Sequence, residues 1–154
     1  MINYWPSSPE DTFQQKVLLP VTHSAIQRAR RNPRDTVDLL SPVTQFPNVS
    51  IFYNRARAYM AAGDQAKAIA DFRTVIDNRG WAGWELYEPL SQLGLAQAYA
   101  KQGDNDLSRR AYDDFFNTWK DADPDIPILV QAKSEYKKLT ATASATTSAP
   151  AKTP

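Results

Sequence analysis

Two stretches, YMAAGDQAKAIADF (residues 59–72) and YAKQGDNDLSRRAY (residues 99–112), decide the fold because they repeat one pattern. Each begins with a tyrosine, reaches Gly-Asp after three further residues, and then carries a small residue and an aromatic residue at matching offsets. Apolar residues recur at helical spacing around the Gly-Asp pair, which predicts two helices joined by a tight turn. The pattern therefore predicts a repeated helical hairpin.

The matching positions are small and aromatic in the same order in both hairpins. They are Ala56, Tyr59, Ala68 and Phe72 in the first, and Ala96, Tyr99, Ser108 and Tyr112 in the second. A small residue on each helix lets the two helices approach closely, and the aromatic residues fill the space beside them. This order resembles the signature of the tetratricopeptide repeat (TPR), a pair of antiparallel helices in a unit of about 34 residues.

A third, weaker unit precedes these two. The stretch NPRDTVDLL (32–40) resembles a second repeat helix, with Thr36 in the small position and Leu40 in the aromatic one. Three units are about the minimum for a stable stack, and a last helix over 126–139 is expected to cap it. The predicted inner face of that helix consists of Leu129, Ala132, Tyr136 and Leu139.

Chain breakers divide the sequence into about seven helices, near 10–31, 33–44, 48–62, 65–78, 86–102, 105–120 and 126–139. We therefore predict an all-α fold, a TPR-like α-solenoid of about three helical pairs plus a C-terminal capping helix. We expect the chain to consist of a flexible lead-in over 1–8, the repeat domain over 9–139 and a disordered tail over 140–154. That tail is rich in Ala, Thr, Ser and Pro and offers too little apolar surface to fold.

The composition argues against several functional classes. The chain has no cysteine, which excludes disulfides and thiolate zinc sites. Eighteen basic and seventeen acidic residues give a net charge of +1, so nucleic acid is not an expected partner. No apolar run approaches the roughly 18–20 residues of a membrane span, so we expect no membrane insertion. The single histidine, His23, has no nucleophile in a recognisable arrangement with it, and we predict neither catalysis nor a cofactor.

The stretch KDADPDIPIL (120–129) resembles the opening of a calcium-binding loop. Such a loop would need Gly at its sixth position and Glu at its twelfth, where this chain has Ile126 and Ala132. The stretch is better interpreted as the end of one helix and the start of the next, with Asp123 or Asp125 capping the second helix.

Several stretches together resemble the C-terminal TPR region of bacterial eukaryotic-like serine/threonine protein kinases and of related winged-helix regulators. They are PEDT (9–12), LP (19–20), NP (32–33), DNRGW (77–81), LGLAQAYAKQGD (93–104), WKDADPDIPIL (119–129) and AKSEY (132–136). The resemblance implies a non-catalytic arm of a larger signalling protein, because the kinase motifs themselves are absent from this chain. In relatives with a membrane span before the repeats the arm would lie outside the cytosol, and in the others inside it.

The first helices of stacked pairs line a concave face, where we expect a protein or peptide partner. The predicted groove residues are Arg28, Tyr53, Asn54, Arg57, Met60, Gln97 and Lys101, with Trp84 as a second contact that we expect to be more exposed than Trp81. The basic stretch RARRNPR (28–34) is explained most simply by cations at a helix C-terminus, with an anionic docking patch as the alternative. Two other functions stay open. The chain could be a self-associating spacer that forms a homodimer, or a sensor that closes the loop containing Trp81 and Trp84 over a small molecule.

Overall fold

The computed structural model describes residues 14–46, 48–81 and 83–147, and within these ranges it contains seven α-helices and no strand. They are α1 (Leu19–Ala29), α2 (Pro33–Leu40), α3 (Val49–Ala62), α4 (Gln65–Asp77), α5 (Trp84–Gln102), α6 (Asn105–Thr118) and α7 (Pro127–Thr147). A π-helical turn, Gln14–Leu18, leads into α1, and a short 3-10 helix, Ser41–Val43, follows α2. None of the described helices is both long and apolar enough to cross a membrane.

The helices form three hairpins, α1–α2, α3–α4 and α5–α6, which are followed by α7. Each helix packs mainly against its neighbours in chain order, and α3 also contacts α5, the first helix of the next hairpin. Packing between neighbouring repeats is the defining property of a helical solenoid. The prediction of an all-α, TPR-like solenoid is therefore confirmed.

Each hairpin closes around one small buried residue on each helix. The pairs are Ser24 and Thr36, Ala56 and Ala68, and Ala96 and Ser108, all at most 1% exposed. The Ser108 hydroxyl donates a hydrogen bond of 2.8 Å to the carbonyl of Ala96, so the two backbones approach closely at this point. One turn further along, the second helix of each hairpin buries a large side chain. This residue is Leu40 in the first hairpin, Phe72 in the second and Tyr112 in the third.

The turn inside each hairpin contains a residue in the left-handed conformation. Gly63 and Gly103 fill this position in the second and third hairpins, with φ of 86° and 92°. The following Asp64 accepts a hydrogen bond from the amide of Lys67 at 3.1 Å and caps α4. In the first hairpin the same position holds Arg31, with φ of 57°. A residue with a side chain costs roughly 1 kcal/mol in this conformation, so Arg31 makes the first turn less stable than glycine would.

The capping face predicted for the last helix is confirmed. Leu129 and Ala132 are buried in a cluster with residues of α5 and α6, and Tyr136 and Leu139 pack against the same cluster. Because this cluster also contains Tyr112 and Phe115, α7 completes the core at the C-terminal end of the stack.

The predicted boundary of the last helix is wrong. Helix α7 continues to Thr147, so residues 140–147, which were expected to belong to a disordered tail, are helical. Alternate residues of this segment are alanine, the best helix former, which supports the extension. The predicted lead-in over 1–8 and the remaining tail residues 148–154 lie outside the described residues.

Candidate partner-binding groove

A concave groove runs along the first helices of the hairpins and ends at α7. Its central pocket, of about 400 Å³, lies between α3 and α5 and reaches the first turns of α7. Phe72 and Leu93 are buried at its base, whereas Arg57, Lys101 and Gln131 are exposed at its edge. The pocket thus combines an apolar base with a polar and basic edge.

A second pocket, of about 620 Å³, lies at the N-terminal end of the groove between α1 and α3. We call it the basic pocket, because Arg28, Arg31 and Arg57 line it. Its other lining residues are alanines together with Asn32 and Pro33, and none of the described residues that line it is acidic.

A third pocket, of about 470 Å³, lies at the C-terminal end of the groove. It shares Met60, Gln97 and Lys101 with the central pocket and adds residues of α6 and α7, including Glu135 and Lys138. The three pockets are therefore adjoining parts of one surface.

The structure brings the predicted groove residues together. Six of the seven line one or more of these pockets, namely Arg28, Tyr53, Arg57, Met60, Gln97 and Lys101. The seventh, Asn54, lies beside them and accepts a hydrogen bond from Arg28. Their role in binding a partner stays a prediction.

Sequence analysis missed the contribution of α7 to the groove. Ile128 and Gln131 line the central pocket, and Glu135 and Lys138 line the third pocket. These four residues form a stripe one position before the buried stripe that begins at Leu129. This spacing is visible in the sequence, but it does not show which side of the buried stripe faces the groove.

Glu135 connects α7 to the groove through three hydrogen bonds. Gln97 and the Tyr112 hydroxyl donate to its Oε2 at 2.9 and 2.8 Å, and Gln131 donates to its Oε1 at 2.7 Å. Partial burial raises the pKa of Glu135. These hydrogen bonds lower it by more than burial raises it, so the pKa lies below its ordinary value. Burial, and then the bond to Glu135, raises the pKa of the Tyr112 hydroxyl well above its usual range. The carboxylate is thus held ionised and already has partners within the fold.

Four cations that line the groove take part in no ion pair among the described residues, namely Arg28, Arg31, Arg57 and Lys101. The Arg57 guanidinium lies 5.9 Å from the ring centroid of Tyr53, an aromatic contact that leaves its charge uncompensated. The groove is therefore basic although the chain as a whole is nearly neutral.

Trp81 and Trp84 are both partly buried, so the structure does not set Trp84 apart as the more exposed of the two. The Trp84 Nε1 donates to the carbonyl of Ile76 at 3.3 Å, and the Arg79 guanidinium lies 5.3 Å from its ring. Trp81 lies 5.5 Å from the ring of Phe52. These contacts attach the loop between the second and third hairpins to α3 and α4, and neither tryptophan lines the three groove pockets.

The acidic stretch before α7 does not cap that helix as expected. Helix α7 begins at Pro127, so the residue at its N-cap position is Ile126 rather than Asp123 or Asp125. Ile126 packs against the C-terminal cluster, which places the start of the helix after both aspartates. Within the described residues there is no group of three acidic or histidine side chains that could hold a metal ion, and His23 is an exposed residue of α1.

Comparison with protein families supports the repeat interpretation. The model of the tetratricopeptide repeat matches residues 51–79 and 90–121, which correspond to the second and third hairpins. The chain therefore contains a TPR region, a type of domain that is generally non-catalytic and that suggests a protein-interaction module. A search of curated proteins found no match to the chain.

Proposed function

We propose that the concave groove binds an extended segment of another protein and that the chain works as a non-catalytic interaction arm. The observation that supports this most directly is the set of cations without ion-pair partners on one face. Arg28, Arg57 and Lys101 come from three successive first helices, and together they create a positive surface beside the apolar base of the central pocket.

The groove favours an acidic segment with one apolar anchor. The anchor side chain would enter the central pocket over Phe72 and Leu93, while carboxylates would lie near Arg57 and Lys101. Apolar burial supplies affinity, and the charges supply orientation and a faster association rate. This arrangement accounts for an apolar base and a basic edge in one pocket.

A pull-down with matched charge variants tests the proposal. The Arg57→Glu, Lys101→Glu double variant reverses two groove charges, whereas the Arg110→Glu, Lys133→Glu control makes the same change at exposed positions of α6 and α7. We expect the wild type and the control to capture the same proteins and the groove variant to lose them, with identical circular dichroism for all three. Capture of the same proteins by the groove variant would contradict the proposal.

Self-association is the competing outcome. A homodimeric spacer would show twice the monomer mass of 17.3 kDa in light scattering and would capture no partner. A small-molecule sensor would change its tryptophan fluorescence on ligand binding, but the packed positions of Trp81 and Trp84 do not favour this function.

The stretch WKDADPDIPIL (119–129) supports a further part of the proposal, that this arm belongs to a bacterial signalling protein such as a serine/threonine protein kinase. The coding sequence upstream of residue 1 tests this idea. A kinase domain in the same reading frame would support it, and a winged-helix domain would assign the arm to a regulator. The absence of both domains would contradict the idea.

A further inference from the structure

The first turn of the stack carries an arginine where the other two hairpins carry glycine. Arg31 has φ of 57°, a conformation that Gly63 and Gly103 adopt without steric cost. A cation near the C-terminus of α1 would interact favourably with the helix dipole, but Arg28 and Arg30 already supply that charge. The helix dipole therefore does not explain why position 31 is an arginine.

Arg31 belongs to the basic pocket, where it joins Arg28 of α1 and Arg57 of α3. Arg28 donates a hydrogen bond to Asn54, and Arg57 contacts both the ring and the hydroxyl of Tyr53. No described carboxylate neutralises any of the three. Three like charges around one cavity repel each other, and a bound anion would remove that repulsion.

We propose that the basic pocket binds a phosphorylated side chain of the partner segment. A phosphoryl group carries close to two negative charges and three acceptor oxygens, which suits a pocket lined by three arginines. Arginine clusters are a recurring means of recognising phosphorylated protein segments. This inference rests on the proposed function and specifies the class of its partner.

The position of the pocket favours a protein-borne phosphate over a nucleic acid backbone. Arg57 lines both the basic pocket and the central pocket, so a segment held by its phosphate at one end can continue over Tyr53 and Met60. A nucleic-acid site would instead need cations at regular intervals along the chain of phosphates. Here three arginines are concentrated at one end of the groove.

An NMR titration tests the proposal with a short Gly/Ser peptide that contains one phosphoserine. The arginine Nε–H signals are followed at constant ionic strength, and the same peptide with Ser or Glu in place of phosphoserine is measured alongside. We expect saturable shifts of the Arg28, Arg31 and Arg57 signals, with affinity at least about tenfold weaker for the Glu peptide, because the bonds to a doubly charged group are stronger. Equal affinity for the Glu peptide or the Ser peptide would overturn the proposal.

The decisive variant is Arg31→Gly, with Arg34→Gln as its control. Glycine relieves the backbone strain, so we expect an equal or higher Tm together with about tenfold weaker phosphopeptide binding, the loss of one charge-assisted contact. Arg34 is an exposed residue of α2 that does not line the basic pocket, so its variant should bind as the wild type does. Unchanged binding by Arg31→Gly, or an equal loss in both variants, would overturn the assignment.

Two further results separate this proposal from the broader one. If a single-stranded oligonucleotide displaces the phosphopeptide at equal phosphate concentration, the pocket recognises phosphate without a protein segment and the proposal is wrong. If phosphopeptide binding depends on Arg31 while Lys101→Glu, a change outside the basic pocket, leaves partner capture intact, the phosphate site stands and the groove beyond it takes no part in binding.

Discussion

The ring of Phe72 in α4 occupies the space that a side chain at Gly94 in α5 would need. A Cβ at position 94 would lie 2.3 Å from Cζ of that ring, and Phe72 is only 1% exposed. The absence of a side chain at one residue thus sets the distance between the second and third hairpins, directly beneath the central pocket.

Gly94→Ala should therefore destabilise the domain by about 1–3 kcal/mol, the usual cost of overpacking a core. Urea denaturation measures the change, and Gly80→Ala is the control because nothing lies within 4 Å of its added Cβ. Adding Phe72→Leu to Gly94→Ala should relieve part of the clash. If Gly94→Ala is as stable as Gly80→Ala, the close contact does not determine the packing.

A buried ion pair holds the second hairpin together. Arg55 donates two hydrogen bonds of 2.7 Å to Asp71, which together with the partner charge raise the pKa of the guanidinium. Asp71→Ala should cost about 2–4 kcal/mol, because it leaves the arginine charge partly buried without a partner. The Arg55→Met, Asp71→Leu double variant should recover much of that loss, and a double variant no more stable than Asp71→Ala would contradict this account.

The Glu135 carboxylate makes the attachment of α7 dependent on pH. Because folding lowers its pKa from 4.5, the stabilisation is complete above that pH and is lost as the pH falls through the lower folded-state value. We expect Glu135→Gln to lower Tm at pH 7 and to approach the wild type as the solution is acidified. Asp121→Asn, a change at an exposed carboxylate, should show no such convergence. A Tm difference that is constant from pH 7 to about pH 3 would contradict the prediction.

Trp84 should matter for stability rather than for partner binding. Trp84→Phe keeps the ring over Arg79 but removes the hydrogen bond to the carbonyl of Ile76, which predicts a loss of about 1 kcal/mol. Thermal unfolding measures the loss, and Leu86→Ala is the control because that side chain is 65% exposed. Partner capture that falls with Trp84→Phe while Tm stays unchanged would instead make Trp84 a contact residue.

Local patterns predicted the second and third hairpins well, because each depends on small residues and a Gly-Asp turn within one stretch of chain. The first hairpin was predicted only through Thr36 and Leu40. Its first helix places Ser24 in the small position and its turn uses Arg31, so neither the usual alanine nor the usual glycine marks it in the sequence.

The groove was predicted less completely than the fold, for a physical reason. The helical register placed Arg57, Gln97 and Lys101 on the concave face, since that face follows from the repeat itself. The residues of α7 could not be placed in the same way, because their exposure depends on how α7 lies against α5 and α6. The position of Trp84 likewise depends on a backbone carbonyl of α4, which no side-chain pattern encodes.

Ala56 and Arg57 are consecutive residues of α3, yet one is fully buried against α4 and the other lies in two pockets of the groove. At this point of α3 the residue that sets the spacing between helices is therefore different from the one that lines the groove. If the groove binds a partner, substitutions at exposed positions such as Arg57 would change recognition without disturbing the helix pairs. A chain built in this way can acquire a new partner during evolution while its architecture stays the same.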